Sequence, residues 1–333
     1  MTLTPYTPAV FPTPIANPAM GGSGVPYPYI SNSEYIFAPT AMDTNNLVPD
    51  GDSAAQAQSL ADTIRRASAW ADRFCFGADM SAKGASLCAT VSVETDLVQV
   101  MRDEIRLICD YKPVIALLGL DIGFSMTNLA SVGQQIASQA RFGRRTIFVP
   151  FGQGSIFSSV LGTLMAPIGL ATGTELIAVW SYVNGYPHTY LTEPITAGQT
   201  TCTVQPTDVG TGLLGIAPGY TRMTIRDGSL TESFVVSAIS GSTLTSQTPF
   251  ANSHPLPLSP DFIPVTSLPD DVSNAVIFAT TFLIKTRGDN SIVLEGLTEP
   301  TKVQESAGDE WADLTYAMHL LEPYRIRVKQ GRR

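Results

Sequence analysis

The sequence has few of the residues on which most metal sites and many enzymes depend. Its 333 residues include three histidines and four cysteines, which are scattered along the chain: His188, His254, His319, Cys75, Cys88, Cys109 and Cys202. No two cysteines form a C-x-x-C pair, and histidines and cysteines this few and scattered argue against a metal site. We therefore expect no metal site, no cofactor and a reducing environment at synthesis.

Charge and long apolar runs are also scarce. Charged residues make up 15% of the chain, and 29 acids against 20 Lys and Arg give a formal net charge of −9. A chain this acidic lacks the basic surface that general nucleic-acid binding requires. No apolar run reaches the roughly 18 residues of a membrane span, and the first residues have neither the basic nor the apolar region of a secretory signal.

Catalytic motifs are missing as well. The sequence contains no G-x-x-x-x-G-K-[ST], no G-x-G-x-x-G after a strand, no H-E-x-x-H and no G-x-S-x-G. The carboxylate pair Asp270–Asp271 lies at a predicted helix N-terminus, where the helix dipole accounts for it. Each histidine is expected at the surface or at the rim of the core. We expect a non-enzyme with no catalytic residue.

Composition divides the chain into six predicted ranges. They are a Pro-rich arm (1–30), a first helical core segment (31–87), a β-rich middle region (88–189), an all-β insertion (190–264), a second helical core segment (265–323) and a basic C-terminal tail (324–333). The arm has seven prolines and no Lys, Arg, Asp or Glu, so it is expected to be extended. Either the arm docks on a neighbouring surface or it is a disordered tail.

Hydrophobic periodicity predicts an α+β fold. Apolar residues at helical spacing predict helices over 33–37, 53–76, 267–287 and 306–322, with Ser267 as a cap and a capping box at Ser306. Period-two patterns predict strands between 88 and 182, and further short strands between 201 and 244. The terminal helices are expected to pack as a small bundle from which the β regions are excursions.

The C-terminal tail is the most unusual charged feature. It contains Arg325, Arg327, Lys329, Arg332 and Arg333 without an acid, so the rest of the chain carries −14 against the −9 of the whole. Tyr324, Ile326 and Val328 alternate with these cations at strand spacing. This pattern favours a segment that docks on an acidic partner over a frayed, solvated terminus.

Several stretches resemble the head-to-tail adaptor proteins of tailed actinobacteriophages. They include Trp180–Leu191 (WSYVNGYPHTYL), Gly215–Gly228 (GIAPGYTRMTIRDG), the helix end Ala69–Cys75 (AWADRFC) and Leu320–Arg325 (LLEPYR). The resemblance covers roughly residues 31–333.

The resemblance implies a connector-like fold and a structural role in the virion neck, without enzymatic activity. Such adaptors are assembled in the host cytoplasm and form a ring, usually of twelve copies, beneath the portal protein. The ring extends the DNA channel, through which the genome passes without sequence-specific binding, and it receives a stopper, tail-terminator or tail protein. The C-terminal segment, here Tyr324–Arg333, docks on the portal. The major capsid protein is a further candidate partner, through the N-terminal arm.

An alternative of a different class is a virion-associated binding module. In that interpretation the all-β insertion recognises a host glycan or receptor. It requires an exposed aromatic platform on residues 190–263.

Overall fold

The computed structural model describes residues 28–39, 42–45, 47–49, 51–77, 86–101, 104–132, 139–150, 175–206, 214–257, 261–286 and 312–326. These residues divide into two compact units. The first contains Thr90–Gly185, and the second contains the described residues before Thr90 and after Gly185.

The first unit is built on a seven-stranded antiparallel sheet. Its strands, in the spatial order β4-β3-β7-β1-β2-β6-β5, are β1 (Thr90–Met101), β2 (Glu104–Ile108), β3 (Val114–Ser125), β4 (Asn128–Ser131), β5 (Arg141–Phe142), β6 (Thr146–Pro150) and β7 (Glu175–Asn184). These positions confirm the strands predicted between 88 and 182.

One face of this sheet supplies the core of the first unit. In β2, Ile105 and Leu107 are fully buried, whereas Arg106 between them is exposed. In β7, Trp180 and Tyr182 point to the same core as their register partners Leu120 and Leu117 on β3. In β2 the period of two separates buried from solvated side chains, whereas β7 is buried at every position from Ala178 to Asn184.

The second unit begins with two capped helices. In α1 (Asn32–Phe37) the Ser31 Oγ accepts from the Glu34 N–H at 2.9 Å, and in α2 (Ser53–Phe76) the Asp52 Oδ1 accepts from the Ala55 N–H at 2.8 Å. These side chains pair donors that a helix N-terminus leaves unbonded. Both helices confirm the prediction from apolar spacing.

Two further helices follow the strands of the second unit. They are α3 (Asp270–Lys285) and α4 (Ala312–Leu321), and α4 continues into a 3₁₀ turn at Glu322–Tyr324. The predicted cap Ser267 is wrong: α3 starts after Pro269, because the Ser267 N–H and hydroxyl instead bond to the Pro187 carbonyl. The predicted capping box at Ser306 lies outside the described residues.

The helices of the second unit contact one another. Helix α3 contacts α2 and α4, and α2 also contacts α1 and α4. Between α3 and α4, the Lys285 Nζ lies 2.6 Å from the Asp313 Oδ2, and the Phe278 and Tyr316 rings meet edge to face at 4.7 Å.

A six-stranded antiparallel sheet completes the second unit. Its strands, in the spatial order β8-β13-β10-β11-β12-β9, are β8 (His188–Tyr190), β9 (Thr201–Thr203), β10 (Arg222–Ile225), β11 (Glu232–Ser240), β12 (Thr243–Ser246) and β13 (Pro264–Thr266). A bridge between Leu191 and Val204 joins the two edges, with the Gln205 N–H donating to the Tyr190 carbonyl at 2.9 Å. The sheet thus curls around its own apolar core and bonds to itself at both edges.

The structure confirms a mixed α and β chain in which helices come first and last and strands lie between. The predicted ranges 31–87, 190–264 and 265–323 fall within the second unit. The last residues of the predicted arm, Pro28, Tyr29 and Ile30, are buried. Within the described part of the chain, no helix combines the length and apolarity needed to span a membrane.

Candidate docking site at the end of helix α2

The start of the basic tail is fixed to the C-terminal end of α2. The Ile326 N–H donates to the Cys75 carbonyl at 2.8 Å, which is one of the carbonyls left unbonded at a helix end. The Arg325 guanidinium lies 5.3 Å from the centre of the Phe74 ring, a cation–π distance. The Tyr324 ring meets the Tyr186 ring edge to face, with centres 6.3 Å apart.

These contacts divide the predicted docking residues into two groups. Tyr324, Arg325 and Ile326 contact other residues of the same chain, and the Tyr324 hydroxyl also donates to the Asp271 Oδ2 at 3.4 Å. The ion pair between Arg325 and Glu322 is long, at 3.6 Å, and exposed, so it contributes little. The other predicted docking residues lie outside the described part of the chain: Arg327, Val328, Lys329, Arg332 and Arg333.

The end of the Pro-rich segment is fixed to the same helix. The Tyr29 N–H donates to the Ser68 Oγ at 3.0 Å, and the Tyr29 hydroxyl donates to the Asp72 Oδ1 at 2.6 Å. Asp72 Oδ1 also accepts from the Leu87 N–H at 2.9 Å. All of these residues are buried, so the carboxylate joins the end of the Pro-rich segment, α2 and the chain at Leu87.

Burial dominates the electrostatics of this cluster. Burial raises the pKa of Asp72 to about 7, although the hydrogen bonds from Tyr29 and Leu87 lower it. Burial also raises the pKa of Tyr29, and the neighbouring Asp72 carboxylate raises it further.

His188 holds the backbone beside Tyr29. Its Nε2 lies 3.1 Å from the Pro28 carbonyl, and its ring meets the Tyr29 ring edge to face at 5.4 Å. Burial lowers the pKa of His188 to about 4, so the neutral ring donates from Nε2. The prediction of a surface or rim position for His188 is wrong, because β8 turns the ring into the interior.

A second charge cluster, centred on the buried Arg226, links α1, the end of β10 and α3. The Arg226 Nη1 lies 2.8 Å from the Glu34 Oε1, and its Nη2 lies 2.7 Å from the Asp270 Oδ1. Burial raises the pKa of Glu34 and the Arg226 charge opposes that rise. The sequence explained Asp270 by the helix dipole alone. In the structure Asp270 also forms an ion pair with Arg226.

A third cluster lies at the six-stranded sheet around His254. Its Nδ1 lies 3.0 Å from the Asp227 Oδ2 and its Nε2 lies 2.9 Å from the Glu232 Oε1. Burial lowers the pKa of His254, but the hydrogen bonds and charges of both carboxylates outweigh it and the pKa is raised. The predicted surface position of His254 is also wrong, whereas His319 is exposed on α4 as predicted.

The first unit has a polar cluster of its own around the buried Tyr182. The Tyr182 hydroxyl donates to the Glu94 Oε1, which also accepts from the Asp110 N–H at 2.8 Å. The Tyr182 oxygen accepts from the Tyr111 N–H at 3.2 Å. These bonds connect β1 and β7 to the residues that follow β2. Their role is to hold the sheet together.

The sequence carries a signal for two of the site residues. Asp72 is a carboxylate on the apolar face of α2, next to Ala71 and one turn from Cys75, and a buried acid requires partners. Tyr29 is one of the aromatic residues of an uncharged segment, and it supplies that partner. Among the described residues, no group of three or more His, Cys, Asp or Glu is arranged to hold a metal ion.

Comparison with known proteins leaves the chain unassigned to a family. No protein-family model matches it, and no curated protein matches its sequence.

Proposed function

We propose that this chain is a structural head-to-tail adaptor of a phage neck. In this role, copies of the chain form a closed ring under the portal, of twelve subunits as in the adaptors it resembles. The ring extends the DNA channel and receives the stopper or tail, and residues 327–333 of each copy dock on the portal.

The observation that carries the proposal is the way the tail begins. Ile326 and Arg325 bind the end of α2 through a backbone hydrogen bond and a cation–π contact, so the chain beyond them starts from a fixed point. The seven residues that follow include four cations, Arg327, Lys329, Arg332 and Arg333. A docking peptide that starts from a rigid base loses less conformational freedom on binding than a free tail does.

The remaining features are compatible with a ring subunit. Helices α2, α3 and α4 contact one another, and in the proposal they form the connector-like bundle. Residues 1–323 carry a formal net charge of −14. This charge suits a channel along which DNA slides, because like charge keeps the non-specific affinity for phosphates low.

The alternative of a glycan- or receptor-binding module gains no support from the described part of residues 190–263. There, Tyr220 is the only aromatic side chain among the exposed large hydrophobic residues, at 89% exposed. Phe234 and Phe250 are buried against each other, with ring centres 5.2 Å apart. One isolated tyrosine is not a platform for a sugar.

The first prediction concerns the docking peptide. A chain that ends at Ile326 keeps the contacts with Cys75, Phe74 and Tyr186, so we expect it to fold with an unchanged melting temperature. We expect its affinity for the portal protein to fall by at least about tenfold, equivalent to about 1.4 kcal/mol. Surface plasmon resonance with immobilised portal measures this.

Two comparisons make the result interpretable. If charge carries the docking, the substitution of Arg327, Lys329, Arg332 and Arg333 by Ser reproduces the loss of affinity. The control variant Arg222→Ser removes an exposed cation on β10. It should leave the affinity for the portal unchanged. Full portal binding by the chain that ends at Ile326 would refute the assignment of the docking role to the tail.

A further inference from the structure

The seven-stranded sheet of the first unit carries a row of two arginines and a phenylalanine. Arg106 of β2, Phe148 of β6 and Arg141 of β5 are register partners across three neighbouring strands. We propose that this row, with the exposed apolar residues beside it, binds the second unit of a neighbouring copy of the chain. The inference rests on the proposed function, because it names a contact between copies in the ring.

The row lies on the face of the sheet that points away from the core. In β2 and β6, the residues on either side of Arg106 and Phe148 are fully buried in the core of the first unit. Because successive side chains of a strand point to opposite faces, Arg106 and Phe148 lie on the outer face. Arg141 is directly opposite Phe148 in the register and lies on that face too.

The Phe148 ring holds both guanidinium groups in place. Its centre lies 5.9 Å from the Arg106 Cζ and 5.6 Å from the Arg141 Cζ, which are cation–π distances. Glu104, the only Asp or Glu in these three strands, pairs with Arg141 at 2.5 Å, yet the Arg141 side chain is 74% exposed. A guanidinium that is already held loses less freedom on binding, and its planar N–H groups match a carboxylate.

Exposed apolar side chains lie on the same face of the sheet. Ile108 of β2 is 41% exposed and Leu97 of β1 is 62% exposed, and each follows or precedes a core residue of its strand. With the row, they form the outer patch: Leu97, Arg106, Ile108, Arg141 and Phe148. Arginine and aromatic residues are enriched in protein interfaces. A DNA backbone offers phosphates to the arginines but nothing apolar to Leu97 and Ile108, so the outer patch favours a protein.

The distribution of charge along the sequence separates the two units. No Asp or Glu occurs between Asp121 and Glu175, although that stretch contains Arg141, Arg144 and Arg145. Residues 90–185 hold seven acids and six Lys or Arg, a net charge of −1, so the rest of the chain carries −8 of the −9. The acid excess of the protein therefore lies outside residues 90–185, the range that contains the outer patch.

A neighbouring copy supplies the acidic surface that the outer patch fits. Copies that each carry −9 repel one another, so a stable contact brings cations of one copy against acids of the next. A closed ring joins two different surfaces of adjacent subunits. The outer patch is one such surface. The second unit offers the other through its exposed carboxylates, which include Asp43, Asp52, Glu193, Asp270 and Asp271.

Sedimentation velocity of the full chain, alone and with the portal protein, tests this contact at about 0.1 M and about 0.5 M NaCl. The double variant Arg106→Gln, Arg141→Gln changes exposed side chains, so its melting temperature should stay unchanged. We expect its self-association to be at least about tenfold weaker at low salt, with a smaller loss at high salt, because salt screens the missing charge contacts. The matched control Arg66→Gln, Arg222→Gln removes two exposed cations of the second unit and should associate like the unmodified chain.

Leu97→Ser is a second, independent variant, and it should weaken self-association at both salt concentrations because the lost contact is uncharged. Unchanged self-association of either variant would overturn the proposed contact while leaving the ring intact. A double variant that self-associates normally but binds a labelled DNA duplex more weakly than the unmodified chain would overturn it too, by assigning the outer patch to DNA. An unmodified chain that stays monomeric, both alone and with the portal protein, would overturn the proposed function itself.

Discussion

His254 holds its proton in the interior of the second unit. Each ring nitrogen faces a carboxylate oxygen, at 3.0 Å from Asp227 and 2.9 Å from Glu232. Both nitrogens must donate to satisfy these acceptors, and only the protonated ring has two donors. The imidazolium therefore connects the residues after β10, the start of β11 and the chain at residue 254.

This geometry predicts a pH-dependent contribution to stability. The folded pKa of His254 lies above its unfolded value of about 6.5. Its stabilisation is therefore complete below about pH 6.5 and is lost as the pH rises through the folded pKa. We expect His254→Gln to lower the free energy of unfolding by about 2 kcal/mol at about pH 6, because two partly buried carboxylates lose their shared cation. Urea unfolding as a function of pH measures the difference, which should shrink toward about pH 9.

His319 provides the comparison. It is exposed on α4, so His319→Gln should leave the unfolding free energy within about 0.5 kcal/mol at every pH. An equal effect of the two substitutions, or an effect of His254→Gln that grows with pH, would contradict a buried imidazolium.

The burial of His188 and His254 was not predictable from the residues around them. His188 and His254 lie in short polar stretches next to prolines, a local pattern typical of exposed loops. Their burial depends on partners far along the chain, Pro28 for His188 and Asp227 with Glu232 for His254. Local patterns carry no information about such long-range pairs.

At the scale of elements, helix α1 packs directly against the 3₁₀ turn Gly228–Leu230. A Cβ atom at Gly228 would lie 2.5 Å from the Ser33 Oγ and 2.6 Å from the Phe37 Cδ2. The residue also has φ +54°, which side chains with a Cβ rarely adopt. Close approach and backbone conformation both select glycine.

We expect Gly228→Ala to reduce the free energy of unfolding by about 3 kcal/mol, with contributions from the left-handed backbone and from the displaced helix. Gly241→Ala is a matched control: Gly241 has φ +58°, but a Cβ there meets nothing within 4 Å. It should cost only about 1 kcal/mol. Equal losses of melting temperature in the two variants would contradict the close packing of α1 on Gly228, because α1 would then move aside without cost.

Elements were predictable where local signals agree. The Asp52 cap and the apolar stripe both indicate α2, and its observed bounds are Ser53–Phe76. The start of α3 was misplaced, because Ser267 has the composition of a cap but bonds to Pro187. A cap residue and a residue that pairs across the sheet look identical in the sequence.

At the scale of the whole molecule, hydrophobic periodicity predicted the mixture of helix and strand, but the six predicted ranges did not anticipate the organisation into two units. The six-stranded sheet includes β8 and β13, at the two ends of the predicted insertion, and its edges meet through Leu191 and Val204. Such pairing depends on contacts between residues far apart in sequence. The docking site was predictable in part: the basic tail is visible in the sequence, but its anchor on Phe74 and Cys75, close to that of Tyr29, is not.

The most direct test of the account is electron microscopy of the purified full-length chain, alone and mixed with the portal protein of its particle. The adaptor proposal predicts a closed ring of identical subunits, seated coaxially on the portal in the mixture. A chain that stays monomeric at high concentration and does not associate with the portal would contradict it.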